Sequence, residues 1–136
     1  MRYLIDTNIF IRVVIDGYLQ TKIKEIINDY ENIIYVSSES IKEYIHLHKN
    51  KKIASKKNIC LHDILDFTEQ TLGFIVKYAA KEHLKIFSKL DLVEGHGDPS
   101  DRLIIAQAIT EKIPLISSDS KFPKYRKQGL QFIQNY

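Results

Sequence analysis

A single cysteine, Cys60, stands in a chain of 136 residues. With no intrachain partner for it, a disulfide scaffold and a multi-cysteine zinc site are both excluded, and Cys60 reads as a small apolar core residue. No uninterrupted apolar run approaches the ~20 residues that span a bilayer, and the N-terminus enters a strand-like segment without the basic and apolar stretches of a leader. A cytoplasmic protein without membrane contact is the expectation. Repeats, low-complexity tracts and linkers are missing, so residues 1–136 read as one domain. Also missing are Gly-x-Ser-x-Gly, a phosphate-cradling Gly-rich loop and a catalytic-cysteine context, which leaves hydrolysis through a Ser or Cys nucleophile unsupported.

The composition that remains, 44% hydrophobic and 27% charged, is that of a globular protein rather than a disordered tail, a fibre or a coiled-coil rod. Twenty basic against seventeen acidic residues give a formal charge of +3, so the placement of charge carries more information than its sum.

Tyr3-Leu4-Ile5 predicts a buried strand that ends at Asp6-Thr7-Asn8, where a loop or helix begins. Ile23, Ile26, Ile27 and Tyr30 at helical spacing predict an amphipathic helix, and Ile33-Ile34-Tyr35-Val36 a second strand closed by Ser37-Ser38. From Ser40, the positions Ile41, Tyr44, Ile45 and His48 predict a further helix carrying Glu43. Residues 61–72 read as a helix stopped by Gly73, Phe74-Ile75-Val76 as a third strand, and 79–90 as a helix. After the turn Gly95-His96-Gly97, a strong helix starts at Asp98-Pro99-Ser100-Asp101; strands follow over 113–116 and 131–133. Strands alternating with helices require crossovers, so the expected fold is α/β: a mostly parallel central sheet of four to five strands flanked by helices on both faces. Ligands in such sheets sit beyond the carboxyl ends of the strands, where strand order reverses.

Four acids fall at that edge. Asp6 ends the first strand, Glu43 follows the second, Asp119 follows the fourth, and Asp101 opens a crossover helix that runs antiparallel to its strands. Each also has a structural reading. Asp98, Pro99 and Asp101 suit N-cap, N1 and N3 of a helix; Ser40 and Glu43 have capping-box spacing; Asp6 and Asp119 suit turns after strands. Jointly they are harder to account for, because clustered carboxylates repel unless a cation is present. Hard oxygen ligands at a roomy site suit Mg²⁺ or Mn²⁺ and the metal-assisted hydrolysis of phosphodiesters.

The runs Tyr3-Leu4-Ile5-Asp6-Thr7-Asn8, Asp98-Pro99-Ser100-Asp101-Arg102-Leu103-Ile104-Ile105-Ala106-Gln107-Ala108 and Ser117-Ser118-Asp119, with Glu43 between, resemble the acidic motifs of PIN-domain nucleases over nearly the whole chain. More narrowly, the run from Asp98 is similar to that of small PIN proteins acting as VapC-type toxins of toxin–antitoxin pairs. The resemblance implies a Mg²⁺- or Mn²⁺-dependent endoribonuclease that leaves a 5′-phosphate and a 3′-hydroxyl, a homodimer, and an antitoxin that blocks the site. It makes Asp6, Glu43, Asp101 and Asp119 the metal-binding and catalytic quartet. Asp98 is then a cap close to the site, and Thr7, Asn8 and Ser117 orient carboxylates or waters. Ser100 departs from the pattern, standing where the family often has an aromatic residue.

Residues 42–57 hold six lysines, two histidines and one acid, Glu43. Lys49, Lys51 and Lys52 there read either as a track for a phosphate backbone or as a solvated helix end. Lys121, Lys124, Arg126 and Lys127 form a second acid-free cluster, in which Tyr125 suits stacking on a base and Phe122 packing. Arg102 reads as a salt-bridge partner or a phosphate contact. His46, His48 and His83 make no metal site by spacing, and His96 reads as a turn residue beside the site. Tyr18 and Tyr44 are candidates for a dimer interface. Two other readings remain: a PIN-like module that binds nucleic acid or protein without cleaving it, and a small-molecule phosphatase, which predicts a closed pocket.

Overall fold

The structure, a computed structural model, describes residues 1–54 and 59–136; Lys56 and Lys57 of the lysine-rich stretch lie outside the described residues. Five parallel strands form the sheet: β1 (Arg2–Ile5), β2 (Ile33–Ser37), β3 (Ile75–Lys77), β4 (Leu115–Ser117) and β5 (Phe132–Gln134), in the order β3-β2-β1-β4-β5. Side chains alternate across the pleat, and the sequence supplies apolar residues at both parities. Tyr3, Ile5, Ile34, Val36 and Ile116 therefore enter one core, while Leu4, Leu115 and Tyr35 enter the other.

The first core is covered by α1 (Thr7–Ile15), α2 (Thr21–Asn28), α3 (Ser38–Lys49) and a helical segment built from a 3₁₀ turn (Leu61–Asp63), α4 (Ile64–Asp66) and a π-helical turn (Phe67–Thr71). The second is covered by α5 (Lys81–Lys89), α6 (Pro99–Glu111) and a 3₁₀ helix (Phe122–Gln128). Helices thus lie on both faces, as alternation predicts. Six consecutive residues of α6, Leu103 to Ala108, are buried, because the helix is packed against the sheet side on one flank and α5 and α3 on others.

Several local expectations shift. Of the loop or helix start expected after Asp6, the structure has the helix, α1, whose β-branched composition hides its period; it forms because Ile9, Phe10 and Val14 are buried. The helix carrying Glu43 starts at Ser38 with Ser37 as N-cap, whose Oγ accepts from the Glu39 N–H at 3.1 Å. Ser40 is consequently inside α3, hydrogen-bonded to Thr7 Oγ1 at 2.9 Å, and no capping box with Glu43 is needed. The predicted helix over 61–72 is three short pieces, closed by Gly73 at φ +72°. Cys60 is exposed rather than a core residue. Tyr44 is not an interface tyrosine: it is 1% exposed and packs edge-on against Phe10 at 5.9 Å, whereas Tyr18 is exposed. Among the described residues no helix is long and apolar enough to cross a membrane.

Candidate active site

The chain builds outward from β1 to β2 and β3, then crosses back through α5 and α6 to place β4 on the other side of β1. Strand order reverses between β1 and β4, and two parallel strands diverging in connection leave a crevice at their carboxyl ends. Asp6 follows β1 there and is held in register by its own N–H, which donates to Ile116 O of β4 at 2.9 Å.

The Asp6 carboxylate is 2% exposed. Its Oδ2 accepts from Ser117 Oγ at 2.7 Å and from Asn8 Nδ2 at 3.1 Å, while Oδ1 is buried without a hydrogen-bond partner. Asn8 also ties the two strand ends together: its Oδ1 accepts from the Ser118 N–H at 3.2 Å. Ser117 Oγ in turn accepts from the Asp119 N–H at 3.0 Å, which carries the orientation on to the next acid. Asn8 and Ser117 thus both hydrogen-bond the Asp6 carboxylate, and Thr7 braces α1 on α3 through Ser40.

Asp98 caps α6 through Oδ1, which accepts from the Ser100 and Asp101 N–H groups at 2.8 and 3.3 Å. That turn aims Asp101 at the crevice. Asp6, Thr7, Asn8, Glu43, Asp98, Asp101 and Asp119, with Ile11, Leu47 and Ser100, line one cavity of about 210 Å³. All four acids singled out in the sequence therefore share one cavity. A larger one, about 550 Å³, lies between Ile27, Asn32, Ile34 and Phe74, away from these acids, and is lined by a single acid, Asp29.

Crowding of acids in a partly dry site has the expected electrostatic result. Burial pushes the Asp6 carboxyl up to about 7; the charge of Asp101 adds to this, the Ser117 hydrogen bond and the Thr7 N–H oppose it, and Asp119 adds again. Asp101 rises to about 6, first through burial and then through Asp98, against the favourable influence of His96.

His96 is more than a turn residue. Its ring is buried, with Nδ1 2.6 Å from Tyr125 Oη and Nε2 3.4 Å from Asp101 Oδ2. Ligand atoms of His96, Asp101 and Asp119 all lie within 4.8 Å of one another. The only signal in the sequence was its place between two glycines beside Asp98. Tyr125, expected to stack on a base, is fully buried, as is Phe122. Arg102 has no salt bridge among the described residues: Nη2 donates to Leu90 O at 3.0 Å and the guanidinium lies over the Phe87 ring. Lys121 Nζ donates to Gly95 O at 2.6 Å, pinning the turn that carries His96. Lys49, Lys51 and Lys52 are exposed at the end of α3, beyond Leu47 and the cavity.

The donor set suits a hard divalent cation. Four carboxylates line the cavity, and the buried, unpartnered Asp6 Oδ1 is an oxygen that the protein alone leaves unsatisfied. Fold and site together define a parallel α/β protein with a carboxylate-lined cleft at the switch point of its sheet.

A family model described as the PIN domain matches residues 3–128, and the chain belongs to the PIN domain family. Comparison with curated proteins gives no match. Among solved structures, VapBC2 from Rickettsia felis bound to a DNA fragment from their promoter is 18% identical with a TM-score of 0.66, covering 100% of both chains. DNA-bound VapBC from Salmonella typhimurium is 17% identical, TM-score 0.67, covering 98% of each. VapBC-5 from Mycobacterium tuberculosis, of the VapBC family of toxin–antitoxin systems, is 16% identical, TM-score 0.62, also covering 98% of each. At these identities the likeness is one of fold.

Proposed function

We propose that this chain is a Mg²⁺- or Mn²⁺-dependent endoribonuclease acting as the VapC-type toxin of a toxin–antitoxin pair, with Asp6, Glu43, Asp101 and Asp119 as its metal-binding and catalytic residues. The observation that carries the proposal is the Asp6 carboxylate, buried with one oxygen unpaired in a cavity shared with three further acids. A module using these acids for structure alone would gain nothing from such a group, since an unpaired buried charge is destabilising. A cation removes that penalty.

When bound, the cation supplies polarisation of the phosphodiester and acidification of the attacking water. The chain's own residues do the rest. Ser117 and Asn8 hold Asp6 in one orientation, Asp98 fixes the first turn of α6 so that Asp101 faces the cleft, and Glu43 lines the cleft from α3. Lys49, Lys51 and Lys52, exposed at and just after the end of α3, would supply sequence-independent affinity for an RNA backbone. The VapBC complexes among the structural relatives support an antitoxin as partner; a homodimer, to which exposed Tyr18 is available as a contact, and a cytoplasmic location complete the proposal.

The test is cleavage of a mixed RNA panel by the purified chain, freed of any copurified protein, with Mn²⁺ and with EDTA. Cleavage that leaves 5′-phosphates and is lost with EDTA and in Asp101→Asn supports the reading; activity equal to the Asp101→Asn control refutes it and favours a non-catalytic module. Growth arrest on expression, relieved by Asp6→Asn, tests the toxin assignment.

A further inference from the structure

Behind the acidic cleft lies a buried polar chain that the chemistry above leaves unused. Val93 to His96 form a tight turn, closed by the His96 N–H donating to Val93 O at 3.0 Å and passing through Gly95 at φ +77°, a conformation that favours glycine. Lys121 anchors this turn through Gly95 O. The His96 ring is held edge-on by Phe122 at 5.4 Å and Tyr125 at 5.3 Å, so it has a single orientation.

Donor accounting sets its tautomer. The Tyr125 side chain is fully buried, so its hydroxyl proton needs an acceptor inside the protein. The acceptor within reach of the Tyr125 hydroxyl proton is His96 Nδ1 at 2.6 Å. With Nδ1 accepting, the neutral ring carries its proton on Nε2, and that atom faces Asp101 Oδ2 at 3.4 Å with no hydrogen bond of its own elsewhere. Tyr125, His96 and Asp101 then form a series running in one direction, drawn from the 3₁₀ helix after β4, the 93–96 turn and α6.

We infer that His96 is a positioning residue: its Nε2–H engages one oxygen of Asp101 and leaves the other turned to the cleft. This rests on the metal-binding reading of Asp101 given above. The alternative geometry, in which His96 Nε2 itself is a ligand beside Asp101 and Asp119, needs Nδ1 protonated and the buried Tyr125 hydroxyl proton stranded without an acceptor.

The experiment is Mn²⁺ binding to the metal-free chain without RNA, read from the electron paramagnetic resonance of free Mn²⁺, with electron spin-echo modulation to detect coordinated nitrogen. Loss of a partner that orients a ligand weakens metal binding by about 10–100-fold, and that is the change expected in His96→Ala, with part restored in His96→Gln and a smaller loss in Tyr125→Phe. No histidine nitrogen coupling is expected in the wild type. Thermal melts establish that each variant is folded; should His96→Ala fail to fold, His96→Gln and Tyr125→Phe carry the test. Wild-type affinity in His96→Ala, or in Tyr125→Phe when His96→Ala is unfolded, overturns the inference, as does a histidine nitrogen coupling, which would make His96 a ligand. Failure of the wild type to bind Mn²⁺ better than Asp101→Asn overturns the metal reading itself.

Discussion

Ser117 and Asp6, 111 positions apart, meet at 2.7 Å where β4 and β1 end side by side. The hydroxyl donates to Asp6 Oδ2 and accepts from the Asp119 N–H, so one side chain orients two of the four acids. The opposite oxygen of Asp6 has no such partner, and that imbalance underlies the first two predictions.

Asp6→Asn keeps the shape of the side chain and removes its buried charge. The metal-free variant should be more stable than the wild type at about pH 8 by about 1–3 kcal/mol, while Mn²⁺ binding and RNA cleavage are lost. Chemical denaturation with and without Mn²⁺ measures both; a destabilised variant that still binds Mn²⁺ would contradict the account of Asp6.

Asp6 and Asp101, at about 7 and about 6, both lie above the ordinary aspartate value. A carboxyl whose native pKa is raised favours folding while protonated, and that contribution is lost as pH rises through the native pKa. Stability of the metal-free protein should therefore fall by about 2–4 kcal/mol between about pH 5 and about pH 8, the Asp101 share being reduced by its partial exposure. Mn²⁺ should reverse the fall. Melting temperatures in EDTA that stay level over this interval would show the two carboxyls to be ordinary.

Glu43 is half-buried on α3 and faces the cleft without belonging to the core. Glu43→Gln should leave stability within about 0.5 kcal/mol of the wild type and lower turnover on the order of 10²-fold. Parallel melts and initial-rate assays separate the two effects, and an active Glu43→Gln would remove Glu43 from the proposed quartet.

Lys49, Lys51 and Lys52 are exposed at and just after the end of α3 and do not line the cavity. Replacing all three with Gln should weaken binding to unrelated RNAs alike and reduce the slope of log affinity against log salt by about 2. Mn²⁺ affinity should not change. An unaltered slope would return these lysines to a solvated helix end.

The elements bearing the acids were legible because their signals are local. Asp98-Pro99-Ser100-Asp101 is a helix start by capping chemistry alone, and the unbroken apolar runs Tyr3-Leu4-Ile5 and Ile33-Ile34-Tyr35-Val36 mark strands buried on both faces. Asp6-Thr7-Asn8 read as a loop or a helix start, and the choice and the length of α1 were not legible, since β-branched residues at every other position are compatible with a strand until the sheet edge and α3 are there to bury Ile9, Phe10 and Val14. Cys60 and Tyr44 exchanged their expected places for the same reason: burial is a property of neighbours, not of the residue.

The order of residues alone determined that four carboxylates come at the carboxyl ends of strands or the first turn of a crossover helix, because periodicity and capping act over a few neighbouring positions. Tertiary structure decided which carboxylate is dry and half-unpaired, that Lys121 pins the Gly95 turn, and that Tyr125 and His96 stand behind Asp101 instead of facing solvent. Those contacts join segments distant along the chain, and desolvation and hydrogen-bond geometry exist only once the two cores have closed around them.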